Sequence, residues 1–217
     1  LKGMIGMGVF LDDRDLYEDA VRKYLEPGSD NGSLPDYTAP SGQLQESVRD
    51  QAHCMLALGC MAEICEVAWK QGRDLYSALD NRLLTCYEYL SSYNLGNDDL
   101  PFFTWKDKTG KYCRWDKIST QARGQFRSVF EIAYAHYAGR KGLKMPYTAA
   151  VLERIRPEGK AWTCDNPGFG SLLFWLGDGG IYRQGWIDFN KNGVKDIYED
   201  PSAPEEDRIR DLLSKMT

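Results

Sequence analysis

The chain has 217 residues, 42% of them hydrophobic and 27% charged, the composition of a globular protein with one large domain or one domain and an appendage. Its net charge of −5 argues against nucleic acid as the main partner, which requires a basic face. A negatively charged polymer of another kind is not excluded, because the field inside a cleft follows the charges nearest to it.

No stretch reaches the ~18 apolar residues of a membrane span. Leu1 opens directly into domain-like sequence without a leader, the expectation for a piece that begins inside a longer gene product. Residues 15–25 (DLYEDAVRKYL) read as a helix closed by Pro27-Gly28. A loop rich in Gly, Pro, Ser and Asp follows, long enough to be a binding loop. Residues 46–71 are apolar nearly all round after His53, as in a helix buried on most sides, with Gly72 as its stop. A second helix is expected over 74–93, closed at Asn94-Leu95-Gly96. Residues 100–117 are aromatic and charged and read as a loop or short hairpin turning at 108–110. Ser119 or Thr120 is placed to cap a third long helix over 121–140, stopped at Gly142. A short helix is expected over 147–155, and the apolar run 169–176 would complete a core layer. Strand-type alternation is scarce, so the fold class is all-α, built of stacked helical hairpins.

Composition also bears on chemistry. The 13 Tyr and 6 Trp suit either a sugar-binding cleft or a large helical core. None of the six cysteines forms a CxxC pair, and Cys54, Cys60 and Cys65 share one apolar helix. They read as small core residues, with a Cys113–Cys164 bridge left open.

Two groups of residues could carry chemistry. Glu46, Arg49, Asp50 and His53 fall at i, i+3, i+4 and i+7, one face of a helix. They form either a self-satisfied network or a patch kept for use. Arg123 and Arg127 are one turn apart in the expected third helix, and Tyr134 lies seven residues beyond Arg127, with His136 and Tyr137 next to it. An Arg beside a Tyr favours the phenolate and so helps it remove a carbon-bound proton, although the same stripe also suits a plain amphipathic surface. Together these residues fit β-elimination from a uronic-acid polymer. The substrate carboxylate must be neutralised, C5 deprotonated and the 4-linked oxygen protonated. Gln51, His53 and Arg127 suit the first task, and Tyr134 the other two. Glu46, Arg49, Arg123, His136 and Tyr137 flank them as candidate substrate-binding side chains.

The run from GQLQESVRDQAH through YNLGND resembles the alginate-lyase superfamily, and within it the group called polysaccharide lyase family thirty-eight. FRSVFEIAYAHYAGRKGLKMPYTAAVLERIRPEG and NPGFGSLLF continue the likeness over roughly residues 1–176. The resemblance implies an (α/α) toroid, here partial because the family's domain is longer. It implies action on alginate or glucuronan without a cofactor, in the periplasm or outside the cell. Arg127 and Tyr134 match the family's Arg–Tyr spacing, whereas Gln51 and His53, separated by Ala52, depart from its Asn-His pair.

Around Gly177 the sequence changes character, which puts a boundary between residues 1–177 and 178–217. Asp188, Asn190, Asn192, Gly193, Asp196 and Glu199 match the D-x-[DN]-x-[DN]-G-x5-E pattern of an EF-hand-like calcium loop, or form a solvated turn. YEDPSAPEEDRIRDLLSKMT resembles the opening helix of family-three glycoside hydrolases. The alternative function is therefore a non-catalytic helical carbohydrate-binding or scaffold domain linked to a hydrolase.

Overall fold

A computed structural model of the chain describes residues 1–28, 32–105, 110–111, 114–161, 165–175, 182–183, 186–190 and 194–215. It is mostly helical with almost no strand, as an all-α reading requires. The chain divides into two units at Leu173/Phe174, a few residues before the change of composition at Gly177.

In the first unit α1 (Lys2–Phe10) packs on α2 (Arg14–Leu25), whose N-terminus Asp13 caps by accepting from Leu16 N at 2.9 Å. A four-residue helix, α3 (Leu34–Tyr37), sits inside the polar loop and is capped by Ser33. The central element is α4 (Gln51–Lys70), against which α1, α5 (Ala78–Asn94) and α6 (Glu131–Tyr134) pack. A π-helix over Ala135–Arg140 continues α6, α7 (Pro146–Ile155) packs on α5, and α8 (Gly170–Leu173) touches α6. Met55, Leu58, Ala62, Leu83, Tyr87, Phe130, Ala133 and Leu152 are wholly buried where these helices meet. Burying a large apolar side chain contributes about 1.5–3 kcal/mol, so this layer supplies most of what holds the unit together.

By length and composition α4 is apolar enough to cross a membrane, contrary to the sequence expectation. In the fold 56% of that apolar window is buried inside the protein, as befits a core helix.

Three helices differ from their expected bounds. The 46–71 run is not continuous: Gln45–Val48 is a 3-10 turn, and Asp50 is extended (φ −169°, ψ 162°) before α4 begins. The 74–93 helix begins only at Ala78, and Leu79, Asp80 and Asn81 have left-handed backbone angles, so its regular part starts one turn later still. The expected 121–140 helix exists only from Glu131. Ahead of it, Ala122 and Gly124 have positive φ; Arg123 N closes a turn onto the Thr120 carbonyl, and other backbone groups of 119–124 bond to Ser47, to Gln51 at the start of α4 and to Asn94 at the end of α5. Leu172 and Leu173 in α8 are 81% and 60% exposed, so they do not complete a core layer.

Cys54, Cys65 and Cys86 are buried free thiols and Cys60 is half-buried, which fits their reading as small core residues. Burial pushes the Cys65 and Cys86 thiols up to about 12, which leaves them unreactive. Cys113 and Cys164 lie outside the described residues, as does most of the 108–110 turn. The second unit contains a two-stranded antiparallel pair (Tyr182–Arg183 with Trp186–Ile187), a 3-10 turn (Ile197–Glu199) and α9 (Glu205–Ser214).

Gly42 (φ +93°) lies so close to α5 that a Cβ there would run into the Thr85 carbonyl oxygen. Gly42→Ala is expected to destabilise the protein by at least about 1–2 kcal/mol from the backbone angle alone. Urea denaturation would show this as a lower midpoint at unchanged slope.

Candidate functional site

The polar patch before α4 is assembled by the break in the chain at Asp50. Once extended, Asp50 turns its carboxylate onto α4, accepting from His53 N at 2.8 Å and meeting His53 Nδ1 at 2.7 and 2.8 Å. Its negative charge also suits the positive end of the helix dipole. Burial opposes ionisation of Asp50. The hydrogen bonds from the His53 backbone and ring, with the Arg49 charge, outweigh it and hold the carboxyl below its ordinary value. An ionised Asp50 keeps the hydrogen of His53 on Nδ1 and leaves Nε2 as the basic nitrogen. Arg49 bonds Glu46 at 2.8 Å and approaches Asp50 at 3.6 Å, while Tyr37 of α3 donates to Glu46 at 2.7 Å. His53 and Arg49 have side chains 35% and 36% exposed, and Asp50 behind them is buried. Glu46, Arg49, Asp50 and His53 thus come together, though as a 3-10 turn plus a helix cap and not as one helix face.

Gln51 has a different role. It is buried, donates to the Ser119 carbonyl at 2.9 Å and accepts from Asn94 Nδ2 at 3.1 Å. Its amide is committed to joining α4, α5 and the 119–124 loop, so it cannot neutralise a substrate carboxylate. Arg123 also holds structure. It donates to the Tyr93 carbonyl at 2.8 Å, pairs with Asp98 at 2.7 Å and lies 4.0 Å over the Tyr93 ring.

Arg127 and Tyr134 do not share a helix face, because Arg127 precedes the helix. The guanidinium over the Tyr134 ring, at 5.4 Å, is that of Arg156. Nor does Tyr134 lie beside His53. Tyr87 Oη donates to the carbonyls of both Leu58 and Val129, which sets the start of α6 level with the middle of α4. From there the chain runs on towards Glu66, which Arg140 grips at 2.8 Å through both terminal nitrogens. His53 lies in the opposite direction. At 1.5 Å per residue His53 lies roughly 8 Å before Leu58 and roughly 20 Å before Glu66 along α4, and the stretch from Val129 to Arg140 that carries Tyr134 spans that interval.

His136 and Tyr137 are interior side chains, not surface groups for a substrate. His136 stacks on Tyr76 at 3.8 Å, meets the Trp69 ring edge-on and is 1% exposed. Tyr137 is wholly buried and donates to the Tyr76 carbonyl at 2.8 Å. Burial first, then the charges of Arg140 and Lys141, push His136 down to about 4.

In the second unit Asp188 and Glu199 are buried. Glu199 accepts from Asn190 N at 3.3 Å and Asp196 N at 3.0 Å, and Lys215 lies 3.0 Å from Asp196. Asn192 and Gly193 lie outside the described residues. Among the described residues no group of three or more His, Cys, Asp or Glu side chains is arranged to hold a metal.

Sequence reasoning missed Tyr37 and Asn94. Tyr37 is an aromatic residue inside a Gly/Pro/Ser loop, a signal that could have marked it. Asn94 is the last residue of α5, where an amide side chain can reach neighbouring backbone.

The chain is thus a mostly helical protein with a part-exposed histidine held by a buried aspartate at the head of its central helix. Compared with protein-family models, with curated proteins and with solved structures, it matches none.

His136 is neutral in the folded protein, whereas in the unfolded chain it takes up a proton near 6.5. The unfolded state therefore binds more protons between these values, and stability is lost as pH falls from 6.5 through about 4. His136→Gln is expected to remove that loss, so the difference in melting temperature between wild type and variant should shrink on acidification.

Proposed function

We propose that the chain is part of a uronate-polymer lyase that cleaves alginate or glucuronan by β-elimination, in the periplasm or outside the cell. Its helices would belong to a partial (α/α) toroid, and its partner would be the anionic polysaccharide itself. The observation that carries this reading is the Asp50–His53 pair, with Arg49 alongside.

His53 Nε2 takes the C5 proton, and Asp50 stabilises the imidazolium that forms. Arg49 meets the substrate carboxylate, so that charge moving from C5 onto the carboxylate is tolerated. The C4–O bond then breaks, a C4=C5 double bond forms, and the leaving oxygen takes the proton back from the His53 imidazolium, which restores the neutral ring. The reading requires no metal or organic cofactor.

The purified protein is expected to raise ultraviolet absorbance on a polyuronate as the unsaturated sugar appears. His53→Gln should lower that rate by a factor of about 10²–10⁴, the range for loss of a general base. Tyr134→Phe, remote from His53, should change it little. Loss in Tyr134→Phe with retention in His53→Gln would move the chemistry to Tyr134, and no absorbance rise on any polyuronate would exclude the lyase.

A second reading is a non-catalytic carbohydrate-binding or scaffold domain linked to a glycoside hydrolase. It is favoured by the interior placement of Gln51, His136 and Tyr137 and by the distance of Tyr134 from His53. Saturable polyuronate binding without cleavage, unchanged in His53→Gln, would select it.

For the second unit we propose a structural calcium held by Asp188, Asn190, Asn192, Asp196 and Glu199. Calcium would replace Lys215 and backbone N–H groups as the partner of the last two carboxylates. Added calcium is expected to raise the melting temperature of the wild type and not of Asp188→Ala. Equal response of the two would return the loop to a plain turn.

A further inference from the structure

A second polar cluster lies away from His53, where α6, α8 and the turn after α7 meet. It contains two buried carboxyls, Glu131 (1% exposed) and Glu158 (3% exposed), and one guanidinium, Arg156. Arg156 is taken by Glu131, with Nε and one terminal nitrogen each 2.8 Å from a carboxylate oxygen. Among the described residues Glu158 has no cation bound to it. Its oxygens accept from the backbone N–H groups of Phe130 at 2.8 Å and Glu131 at 3.3 Å, where α6 begins. Its own N–H donates to Ser171 Oγ at 2.8 Å, and that hydroxyl donates on to Glu131 at 3.4 Å. Gly170 closes the remaining side, since a Cβ there would overlap a Glu158 oxygen.

We propose that Glu158 is a proton-operated latch, folded as the neutral acid, that ties the 156–158 turn and α8 to the start of α6. The physical reason is a charge count. Two carboxylates around one guanidinium leave a net negative charge in a buried place, and such a charge is costly unless neutralised. A proton on one carboxyl removes it. Arg156 selects Glu131 as the anion by its two-point grip, which leaves Glu158 as the proton carrier. Two phenols are also packed here among the described residues: Tyr134, whose ring lies 5.4 Å under Arg156, and Tyr87, whose hydroxyl faces the Val129 carbonyl and stays neutral because burial pushes its phenol far up.

The proton comes off in the physiological range. Burial, with the neighbouring Glu131 charge, outweighs the two amide donors and Arg156 and pushes Glu158 from 4.5 up to about 7. Between those values the folded protein holds a proton that the unfolded chain has released. The stability that this group contributes is therefore full below 4.5 and is lost as pH rises through about 7. Loss of the proton puts two anions around Arg156 and strains the joint that begins α6, the helix bearing Tyr134. The inference does not depend on the lyase reading, since it concerns the fold in the absence of substrate.

The test uses the whole protein labelled with ¹³C at the glutamate carboxyls. One carboxyl resonance is expected to titrate near pH 7, with the Phe130 and Glu131 amide shifts following the same midpoint. Glu158→Gln should remove that resonance. The melting temperature of the wild type relative to the variant should fall between about pH 5 and about pH 8. Taking the difference between wild type and variant cancels the opposite contribution of His136. If every glutamate titrates in the ordinary carboxylate range, or the difference is flat across that interval, the latch is overturned. Should Glu158→Gln fail to fold, the wild-type carboxyl and amide titrations decide alone.

Discussion

A helix buried on most sides cannot end in apolar surroundings unless its first N–H groups find partners, and α4 is such a helix. Asp50 supplies one acceptor, and the carbonyl of Gln121, 3.0 Å from Gln51 N, supplies another. Much else follows from that second bond. With Ala122 and Gly124 at positive φ and the Gln121 carbonyl turned to α4, the 119–124 segment closes a turn (Arg123 N to the Thr120 carbonyl, 3.2 Å) and does not form a helix. Its remaining polar groups are met by the Ser47 carbonyl, by Asn94 Oδ1 and by the Gln51 amide. The buried amide pair Gln51–Asn94 fixes the end of α5 against the head of α4. The same extended residue that makes the cap also aims Asp50 at His53.

Around Glu66 and His136 the interior follows one rule, which is that each buried titratable group has an opposite charge as partner or stays neutral. Glu66 is gripped by Arg140, and the Tyr76 hydroxyl donates to it at 3.1 Å. Burial opposes its ionisation, but Arg140 and Tyr76 prevail and hold it below its ordinary value. His136 sits between Tyr76, Trp69 and Arg140, where an imidazolium would face a guanidinium at 3.4 Å, so it is neutral. Such groups lock α6 and its π-turn onto α4 and α5. They would cost stability if broken, because the surviving partner would be left charged and buried.

The sequence pattern foretold α2, most of α4 and α7 because each carries its own signal, either a stripe of apolar residues or a Pro and Gly boundary. Residues 121–130 carried a misleading one. Their composition is compatible with a helix, but the backbone partners that decide the matter come from α4 and α5, which no local pattern encodes. The loss of that helix also undoes the seven-residue step from Arg127 to Tyr134, since the step has meaning only if the intervening residues are helical. His136 and Tyr137 were equally illegible. Adjacent residues are not expected on one buried side of an α-helix, yet a π-turn seats both around the Tyr76 ring, one stacked and one edge-on. Around His53 the residues expected on one helix face do come together, but through a helix cap and a 3-10 turn and not through a single helix face.

The half-exposed cluster at the head of α4 departs from the interior rule. Asp50 already has His53 N–H and Arg49 to satisfy it, so the cap alone does not require a histidine ring. A ring held at Nδ1 by a buried carboxylate, with its own side chain 35% exposed, is oriented more firmly than packing needs. Proton transfer needs that orientation, since it fixes which nitrogen accepts and in which direction. Among the described residues no carboxylate holds Tyr134 in the same way: it lies under Arg156, whose Nε and one terminal nitrogen are turned to Glu131. The two ends of α4 therefore differ, with charge closed off around Glu66 and Arg140 at one and a part-exposed histidine held by Asp50 at the other.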